Sequence, residues 1–295
     1  MRFPFTGVIP VDKPPGATSR RCVDAVGRAL GTRALGHAGT LDPLAAGVVV
    51  VCVGHATKLV DFVHELPKLY AATFLLGRSS PSDDLETPVE EEAAPVRPDR
   101  ATVEAALPAF RGDILQRPCD YSAVHVAGQR AYALARKGRA VELALKPVRI
   151  DRLAITDYGW PRLGLDIECS SGTFVRAIGR DLALALGTRA VMESLVRTAV
   201  GPFTRAGSIP LDALTPDTAR GALLPATAAV AHLPRATLAG VILDDAIRGG
   251  FVPAPEAAAT ATAVAALDAA GELVGVLRPH ASGGWRLRPN FRGLG

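Results

Sequence analysis

The sequence predicts an α+β fold: a mixed, largely antiparallel sheet flanked by helices, followed by a small C-terminal β-rich domain. Strand-like and helix-like segments succeed one another without the regular βαβ alternation of a parallel sheet. β-rich runs also cluster between residues 141 and 169 and again near the C-terminus. The chain of 295 residues, 48% of them hydrophobic, is long enough to bury one large core or two ordinary ones.

Hydrophobic spacing predicts the elements of the first third of the chain. The helix over 19–30 places its apolar residues on one face, and Gly31 fits a C-cap. The uninterrupted apolar run over 48–53 indicates a strand buried on both faces. In chain order, the pattern predicts a strand over 7–11, a helix over 19–30, a strand over 48–53, a helix over 56–66 and a strand over 68–76.

The later elements follow from the same patterns, and the chain divides into three parts. Residues 1–209 form the main domain, residues 210–234 an Ala-, Pro- and Leu-rich connector with some helix, and residues 235–295 the small domain. The later elements are a loop over 90–100, a helix over 102–110, strands over 148–155 and 163–169, a helix over 172–186 closed by Gly187, and strands over 262–267, 272–277 and 285–287.

Asp42 lies in a glycine-rich turn between a predicted helix and the buried strand over 48–53. Residues 36–47 read Gly-His-Ala-Gly-Thr-Leu-Asp-Pro-Leu-Ala-Ala-Gly. The glycines allow positive φ and close approach of another molecule, while Pro43 keeps Asp42 out of the helical region. Most Asp-Pro turns are ordinary surface turns. This one opens onto a core strand, which favours a functional carboxylate.

The block around Asp42 resembles the active-site block of the TruB-type tRNA pseudouridine synthases, Gly-His-x-Gly-Thr-Leu-Asp-Pro-x-Ala-x-Gly. Further blocks follow in the family's order over roughly residues 7–205, which is far more specific than a single motif. They are Lys13-Pro14-Pro15-Gly16, Lys68-Leu69-Tyr70, Gln116-Arg117-Pro118, Tyr121-Ser122-Ala123, Gly128-Gln129-Arg130-Ala131-Tyr132, Cys169-Ser170-Ser171-Gly172-Thr173-Phe174-Val175-Arg176 and Leu195-Val196-Arg197-Thr198.

The resemblance implies an isomerase that converts uridine 55 in the T arm of tRNA to pseudouridine. The N1–C1′ bond breaks, the uracil rotates and C5 bonds to C1′, so no redox step, cofactor or metal is needed. By resemblance Asp42 is the nucleophile or base, Tyr70 stacks on the flipped base, and Arg176 pairs with Asp42. Two questions stay open here. One is whether Asp42 acts through a covalent adduct or a glycal; the other is which group accepts the C5 proton, for which the Tyr70 hydroxyl is a candidate.

The resemblance also assigns residues to RNA contact and to support of the turn. Asp84 lies in an acidic run typical of a surface, so a structural role is an equal alternative for it. The residues implied in contacts with the RNA or the flipped base are His37, Asp84, His125, Arg130, Arg136, Lys137, Arg139 and Leu195. The residues implied in support of the turn are Lys13, Pro14, Gly36 and Gly39.

By resemblance, residues 117–146 correspond to a basic insertion that the family folds over the RNA arm, and residues 235–295 to a small PUA-like RNA-binding domain. Residues 111–152 carry nine Lys and Arg against four Asp and Glu, whereas the whole chain has a net charge of +4. Such a segment fits phosphate contacts, although a solvated basic face has the same composition. Three departures from the family pattern lie at Ser80-Pro81-Ser82, at His125 (commonly Lys) and at Phe174 (commonly Tyr).

Composition favours a cytoplasmic protein without a membrane segment, and the sequence has no motif for a cofactor or metal. The resemblance implies a monomer whose partner is tRNA and which needs no guide RNA. The longest apolar run is too short to cross a bilayer, and the first residues lack the apolar region of a signal peptide. The four cysteines show no CxxC spacing, which favours buried thiols. Two other functions compete: a tRNA-folding chaperone, and a guide-dependent synthase resembling dyskerin, which the long basic insertion disfavours.

Overall fold

The computed structural model describes residues 4–122, 125–126, 129–130, 132, 143–256 and 261–292. Within these residues the larger sheet has ten strands and a second sheet near the C-terminus has four. The strands are β1 (Gly7–Lys13), β2 (Leu35–Ala38), β3 (Ala46–Val53), β4 (Lys68–Leu76), β5 (Arg78–Ser79), β6 (Glu90–Glu91), β7 (Gly112–Gln116), β8 (His125–Val126), β9 (Gln129–Arg130), β10 (Lys146–Gly159), β11 (Arg162–Cys169), β12 (Ala190–Val200), β13 (Phe203–Thr204), β14 (Ile209–Pro210), β15 (Arg235–Thr237), β16 (Val264–Leu267), β17 (Leu273–Pro279) and β18 (Trp285–Asn290).

Helices pack on the large sheet and around its ends. Four short 3-10 helices are also described. Two of them adjoin α-helices, and the four lie at Gly54–Leu59, Leu107–Phe110, Leu211–Ala213 and Ala226–Val230. The α-helices are α1 (Ser19–Leu30), α2 (Val60–Glu65), α3 (Arg100–Ala106), α4 (Val175–Ala185), α5 (Pro216–Gly221) and α6 (Gly240–Ile247). The predicted α+β class is confirmed.

The ten-stranded sheet is mixed and largely antiparallel, as predicted. Its main order is β14-β1-β3-β12-β4-β11-β10-β7, with β2 paired to β3 and β13 to β12. Strands β3 and β12 are parallel neighbours, with Ala46 opposite Val196 and Gly47 opposite Arg197. Because the paired residues lie at the start of β3, the loop that carries Asp42 lies beside β12. Every residue of β3 is buried, as its continuous apolar run predicts.

Helix α1 begins and ends at residues with clear capping roles. Thr18 is its N-cap, and the Thr18 hydroxyl accepts a hydrogen bond from the Arg21 amide at 3.2 Å. Gly31 is the C-cap and has a φ of 64°, a conformation that glycine adopts without steric cost. The apolar face predicted for this helix packs into the main core. Helix α1 therefore fixes the chain that leads towards the Asp42 turn.

Local structure departs from the sequence-based expectations at several places. The helix expected over 102–110 is split into α3 and the 3-10 turn Leu107–Phe110. Strand β2 lies between α1 and the Asp42 turn, where a helix was expected to precede the turn directly. The helix expected over 56–66 is split into the 3-10 turn Gly54–Leu59 and α2. Residues Glu90–Glu91, predicted as loop, pair with β5 as β6. Helix α4 begins at Val175 because Phe174 is an extended N-cap that the periodicity did not separate from the helix.

The C-terminal sheet has the order β15-β16-β17-β18, and α6 packs with it. Strand β15 begins at Arg235, where the small domain is predicted to begin. Two apolar clusters involve this sheet. One is its own and includes Trp285 and Leu287. The other joins Val276 of β17 to Phe62 of α2, so the two sheets share part of one core.

The cysteines agree with the expectation of buried thiols. Cys22, Cys52, Cys119 and Cys169 are all buried and free. Burial raises the pKa of Cys22 and that of Cys169 to about 11, so both thiols are protonated near neutral pH. No helix in the described part of the chain is long and apolar enough to cross a membrane.

Candidate active site

A cavity of about 220 Å³ opens between the loop after β2, strands β4 and β12, and the start of α4. These elements converge because β12 lies between β3 and β4 in the sheet. Asp42, Tyr70, Arg176 and Leu195 all line this cavity. The structure therefore brings together three residues implied in catalysis and one implied in an apolar wall, from four separate parts of the sequence.

Hydrogen bonds from Ser19 and Gly16 hold the residues on either side of Asp42. The Ser19 hydroxyl, at the first turn of α1, donates to the Leu41 carbonyl at 3.1 Å and accepts from the Leu41 amide at 2.9 Å. The Gly16 amide donates to the Pro43 carbonyl at 2.8 Å. The residues before and after Asp42 are thus fixed, which leaves its side chain directed at the cavity.

Lys13 lies beneath the same turn as a buried cation. Its ammonium donates to the carbonyls of Ala17 at 2.7 Å and Pro43 at 3.3 Å. Burial lowers the pKa of Lys13, and the charge of Asp42 acts in the opposite direction. Pro14 was expected to pack under the site, but the structure leaves it exposed. Its contribution is its carbonyl, which accepts a hydrogen bond from Lys13 at 3.2 Å.

Arg176 is the second residue of α4 and its side chain is only 6% exposed. One terminal nitrogen lies 3.0 Å from the carboxylate of Asp42, and the other lies 3.2 Å from that of Asp84. The same two nitrogens donate to the carbonyls of Ser82 at 2.8 Å and Tyr121 at 2.9 Å. These carbonyl contacts fix the plane of the guanidinium and so set the direction from which it meets Asp42.

Asp84 is buried, although its acidic run is typical of a surface. Its Oδ1 accepts hydrogen bonds from the Ser82 hydroxyl at 2.5 Å and the Glu86 amide at 2.9 Å, while Oδ2 faces Arg176. Ser82 belongs to one of the three departures from the family pattern, and Ser80 of the same segment donates to the Asp84 carbonyl at 2.6 Å. The hydroxyls of Ser80 and Ser82, both within this departure from the family pattern, therefore donate hydrogen bonds to Asp84.

Tyr70 and Leu195 form the apolar side of the cavity. Tyr70 lies on β4 and Leu195 on β12, the neighbouring strand, and both are almost fully buried. Burial raises the pKa of Tyr70, and the Arg197 guanidinium acts against that increase through its charge and a hydrogen bond. Tyr70 is consequently a neutral phenol near physiological pH, with its ring at the cavity wall.

Comparison with known families agrees with this geometry. Residues 27–175, just over half of the chain, match the N-terminal domain of the TruB family pseudouridylate synthases. The match includes Asp42, Tyr70 and Asp84, which meet at or next to the cavity. The chain belongs to the TruB family.

Curated relatives extend the likeness over most of the chain. It is 44% identical to the tRNA pseudouridine synthase B of Gloeobacter violaceus, over 77% of this chain and 80% of the relative. It is 42% identical to the protein of the same name from Gluconacetobacter diazotrophicus, over 80% of this chain and 78% of the relative. The corresponding protein of Mycobacteroides abscessus is 45% identical over 67% and 68% of the two chains.

Solved structures with the same fold come from more distant proteins. A chain from an H/ACA RNP bound to a substrate RNA containing 2′-deoxyuridine has a TM-score of 0.68 and 23% identity. A chain from a Cbf5-Nop10-Gar1 complex has a TM-score of 0.67 and 24% identity. Both alignments cover 92% of this TruB family chain and 78% of the other. At this identity they show the shared fold alone.

Arg197 also lines the cavity, although no role was predicted for it within the Leu195-Val196-Arg197-Thr198 block. Its side chain is 1% exposed, and its Nε donates to the Val48 carbonyl at 2.7 Å. One terminal nitrogen donates to the Gly39 carbonyl at 3.0 Å. Gly39 has a φ of 75°, so its predicted support role has a backbone reason. The available signal was its place in that block, two residues after Leu195.

Lys68 is a second such residue, at the first position of β4. It is 3% exposed, and its ammonium donates to the Leu66 carbonyl at 2.7 Å and also to the His64 carbonyl. Burial and, to a smaller extent, the positive charge of Arg197 together lower the pKa of Lys68 to about 8. The Lys-x-Tyr motif therefore brings a cation to the cavity in addition to Tyr70.

His37 and Gly36 lie on β2, just before the Asp42 turn. His37 is partly exposed, and burial together with the nearby Arg197 lowers its pKa. It is therefore largely neutral near pH 7. At Gly36 an added Cβ would lie 3.1 Å from a methyl group of Val60, so glycine allows β2 to pack closely on α2.

The predicted RNA-contacting insertion is described only in part. His125 and Arg130 pair through their backbones in the β8–β9 hairpin. Arg136, Lys137 and Arg139 lie outside the described residues. Tyr132 donates its hydroxyl to Glu86 at 3.0 Å, two residues beyond Asp84. The insertion thus contacts the segment that holds the buried carboxylate of this TruB family site.

Proposed function

We propose that the protein is a tRNA pseudouridine synthase that isomerises uridine 55 of the T arm. The observation that carries this proposal is the Asp42 carboxylate at the cavity, 3.0 Å from the buried Arg176 and beside Tyr70. The names of the TruB relatives support tRNA as the substrate. The reaction then needs one positioned carboxylate and no electron or group donor.

Substrate entry requires the target uridine to leave the RNA stack, because a stacked base cannot reach the turn. Flipping costs a few kcal/mol, and binding in the cavity offsets that cost. Asp42 is 39% exposed and so remains accessible from the cavity, unlike Arg176. Tyr70 and Leu195 supply apolar surface against which the extruded base packs.

Asp42 acts as the nucleophile or base in this scheme. The charge-assisted contact with Arg176 orients its carboxylate and fixes one oxygen. The other oxygen is left for the reacting nucleotide. Asp84, on the far side of Arg176, balances the buried guanidinium and prevents it from turning away from Asp42.

Tyr70 contributes its ring to stacking and its hydroxyl to the proton that leaves C5. The hydroxyl is protonated near neutral pH because burial raises its pKa. The hydroxyl can therefore accept the C5 proton only while it gives up its own proton. It does not start as a free base. Replacing Tyr70 by Phe separates the two roles, because the ring stays and the hydroxyl goes.

The RNA-binding parts proposed here follow the predicted division of the chain. Residues 1–209 carry the chemistry, the insertion over 117–146 closes over the T arm, and residues 210–234 connect to an RNA-binding PUA-like domain over 235–295. We place the reaction in the cytoplasm, with a monomer acting on tRNA without a guide RNA. The tRNA-specific names of the relatives favour this over a guide-dependent enzyme.

The test is conversion of an unmodified T-arm stem-loop by the purified protein with no other RNA present. We expect pseudouridine at position 55 and nowhere else in the stem-loop. A stem-loop with cytidine at that position is the control and should remain unchanged. No conversion by the folded protein, or conversion only after a guide RNA is added, would overturn the proposal.

A further inference from the structure

The charges around the cavity are unevenly distributed. On one side, Arg176 lies between the carboxylates of Asp42 and Asp84. On the other side are Arg197 and Lys68, both lining the cavity and both almost completely buried. Among the described residues, neither of these two cations forms an ion pair with a carboxylate.

Main-chain carbonyls accept hydrogen bonds from both cations, and Arg197 also hydrogen-bonds the Tyr70 hydroxyl. Arg197 donates to Val48 and Gly39, and Lys68 to Leu66 and His64. Carbonyl dipoles only partly replace the hydration that a buried charge loses, and the usual partner of such a charge is a carboxylate. Arg197 and Lys68 also repel each other, because neither is paired with a carboxylate. An arrangement this unfavourable for folding indicates a role in binding or catalysis.

Gly39 leaves space for a ligand above the two cations. A Cβ added at Gly39 would lie 3.4 Å from a terminal nitrogen of Arg197 and 4.0 Å from Cε of Lys68. A side chain at this position would therefore cover both. The glycine, with its φ of 75°, keeps the cationic side of the cavity open.

The proposed reaction places negative charge on the base at this location. If N1–C1′ breaks first, its electron pair stays with uracil and spreads to O2 and O4. If Asp42 first adds at C6, the ring electrons move to O4. In both routes the N1–C1′ bond breaks, C5 bonds to C1′ and loses its proton, and N1 gains one. Any bond that Asp42 has formed to the nucleotide also breaks, with its electron pair returning to the carboxylate, so the overall change is an isomerisation.

We propose that Arg197 and Lys68 form an electrostatic floor that stabilises the negative charge developing on the uracil ring. The inference rests on the proposed function and deepens it. The floor acts as an oxyanion hole does: fixed positive groups in a site with little water favour the charged transition state over the neutral substrate. Arg176 cannot do this, since its charge is taken up by Asp42 and Asp84.

Lys68 makes the floor sensitive to pH. Its lowered pKa of about 8 means that the charge is present below that pH and is lost as the pH rises through it. The groups that act on it are Arg197 from β12, Cys169 from β11 and His64 from α2, with Asp42 and Tyr70 on the same cavity. Cys169 stays protonated because burial raises its pKa to about 11, so it does not titrate in the same range.

The test compares single-turnover rates on the stem-loop from pH 6.5 to 9.5 for the unaltered protein, Lys68→Met and Lys68→Arg. The unaltered rate should fall above about pH 8. Lys68→Met should be about 100-fold slower below pH 8 and show no such fall, because the charge is already absent. Lys68→Arg should keep most of the rate and also lose the fall, because arginine stays charged.

Lys58→Met is the matched control, because Lys58 is an exposed lysine on the neighbouring 3-10 turn; its profile should match that of the unaltered protein. If Lys68→Met does not fold, the profile of Lys68→Arg decides. A fall near pH 8 that persists in the Lys68 variants, or a Lys68→Met rate equal to the unaltered one, overturns the inference. If the unaltered protein makes no pseudouridine at any pH, the proposed function fails instead.

Discussion

Arg176 couples the two carboxylates of the site, and a lysine could not. Its planar fork meets Asp42 and Asp84 with different nitrogens. We expect Arg176→Lys to lower kcat by about 100-fold with KM nearly unchanged, because the charge is kept but the orientation of Asp42 is lost. Arg100→Lys, at an exposed arginine of α3, is the control and should leave both constants close to those of the unaltered protein. A change confined to KM would mean that Arg176 binds RNA instead.

The Ser82 hydroxyl is expected to affect catalysis through its hydrogen bond to Asp84. Ser82→Ala removes the 2.5 Å hydrogen bond to the buried Asp84 carboxylate. Loss of a bond to a charged group corresponds to roughly a 10-fold fall in kcat if Asp84 helps to hold Arg176. Ser80→Ala is the matched control, since that hydroxyl contacts only the main chain of Asp84. Steady-state kinetics of the two variants would contradict this account if they fell equally.

Some residues of the site could be predicted from the sequence alone, and others could not. Asp42, Tyr70 and Arg176 lie in recognisable blocks, so their convergence could be expected. The buried state of Asp84 could not, because its neighbours are acidic and its partner Arg176 is distant in sequence. Arg197 was missed as a site residue because its carbonyl partners Val48 and Gly39 lie 149 and 158 residues away, and only the β3–β12 pairing brings them together.

At the scale of elements, α1 holds the catalytic turn through its first residue. Ser19→Ala removes both contacts to Leu41 and should lower kcat about 10-fold, because a loosened turn no longer holds Asp42 in place. Thr18→Ala removes the neighbouring N-cap hydroxyl and should cost about 1 kcal/mol of unfolding free energy with little effect on kcat. Kinetics and denaturant unfolding of both variants test this; equal loss of kcat in both would contradict it.

Elements with complete periodic patterns were predicted best. Helix α1 and strand β4 were predicted to the residue, since a C-cap glycine ends the first and a continuous β-rich run defines the second. Strand β2 was missed because its four residues, Leu35–Ala38, show no alternation that could be recognised. It exists because β3 offers a free edge to pair with, a tertiary cause that local sequence does not display.

Across the whole molecule, the C-terminal sheet is part of the fold as well as a candidate RNA-binding domain. Val276 shares a core with Phe62, and the guanidinium of Arg278 lies 4.8 Å from the Phe62 ring centroid. Removing residues 235–295 would expose that core. We expect the truncated protein to melt roughly 5 °C or more below the full chain. Calorimetry that shows an unchanged Tm would mean that the two parts fold independently.

Some C-terminal arginines are already engaged within the protein. Arg286 donates to the Gly249 carbonyl at 2.8 Å, and Arg292 lies 2.5 Å from the Asp268 carboxylate. The number of arginines in this domain therefore overstates the positive charge that is free to meet phosphate. RNA binding by the domain should be tested with single substitutions at exposed arginines rather than by its deletion, which changes stability at the same time.

Asp42 is the residue proposed to perform the chemistry, and release of the C5 proton reports that chemistry without depending on RNA binding alone. A T-arm stem-loop with tritium at C5 of uridine 55 is mixed with excess Asp42→Asn protein, and tritium release is followed in a single turnover. Asparagine keeps the shape but removes the charge, so we expect no release above background while the RNA still binds, with Asp157→Asn as an active surface control. Substantial release by Asp42→Asn would show that another group does the chemistry and would contradict the account.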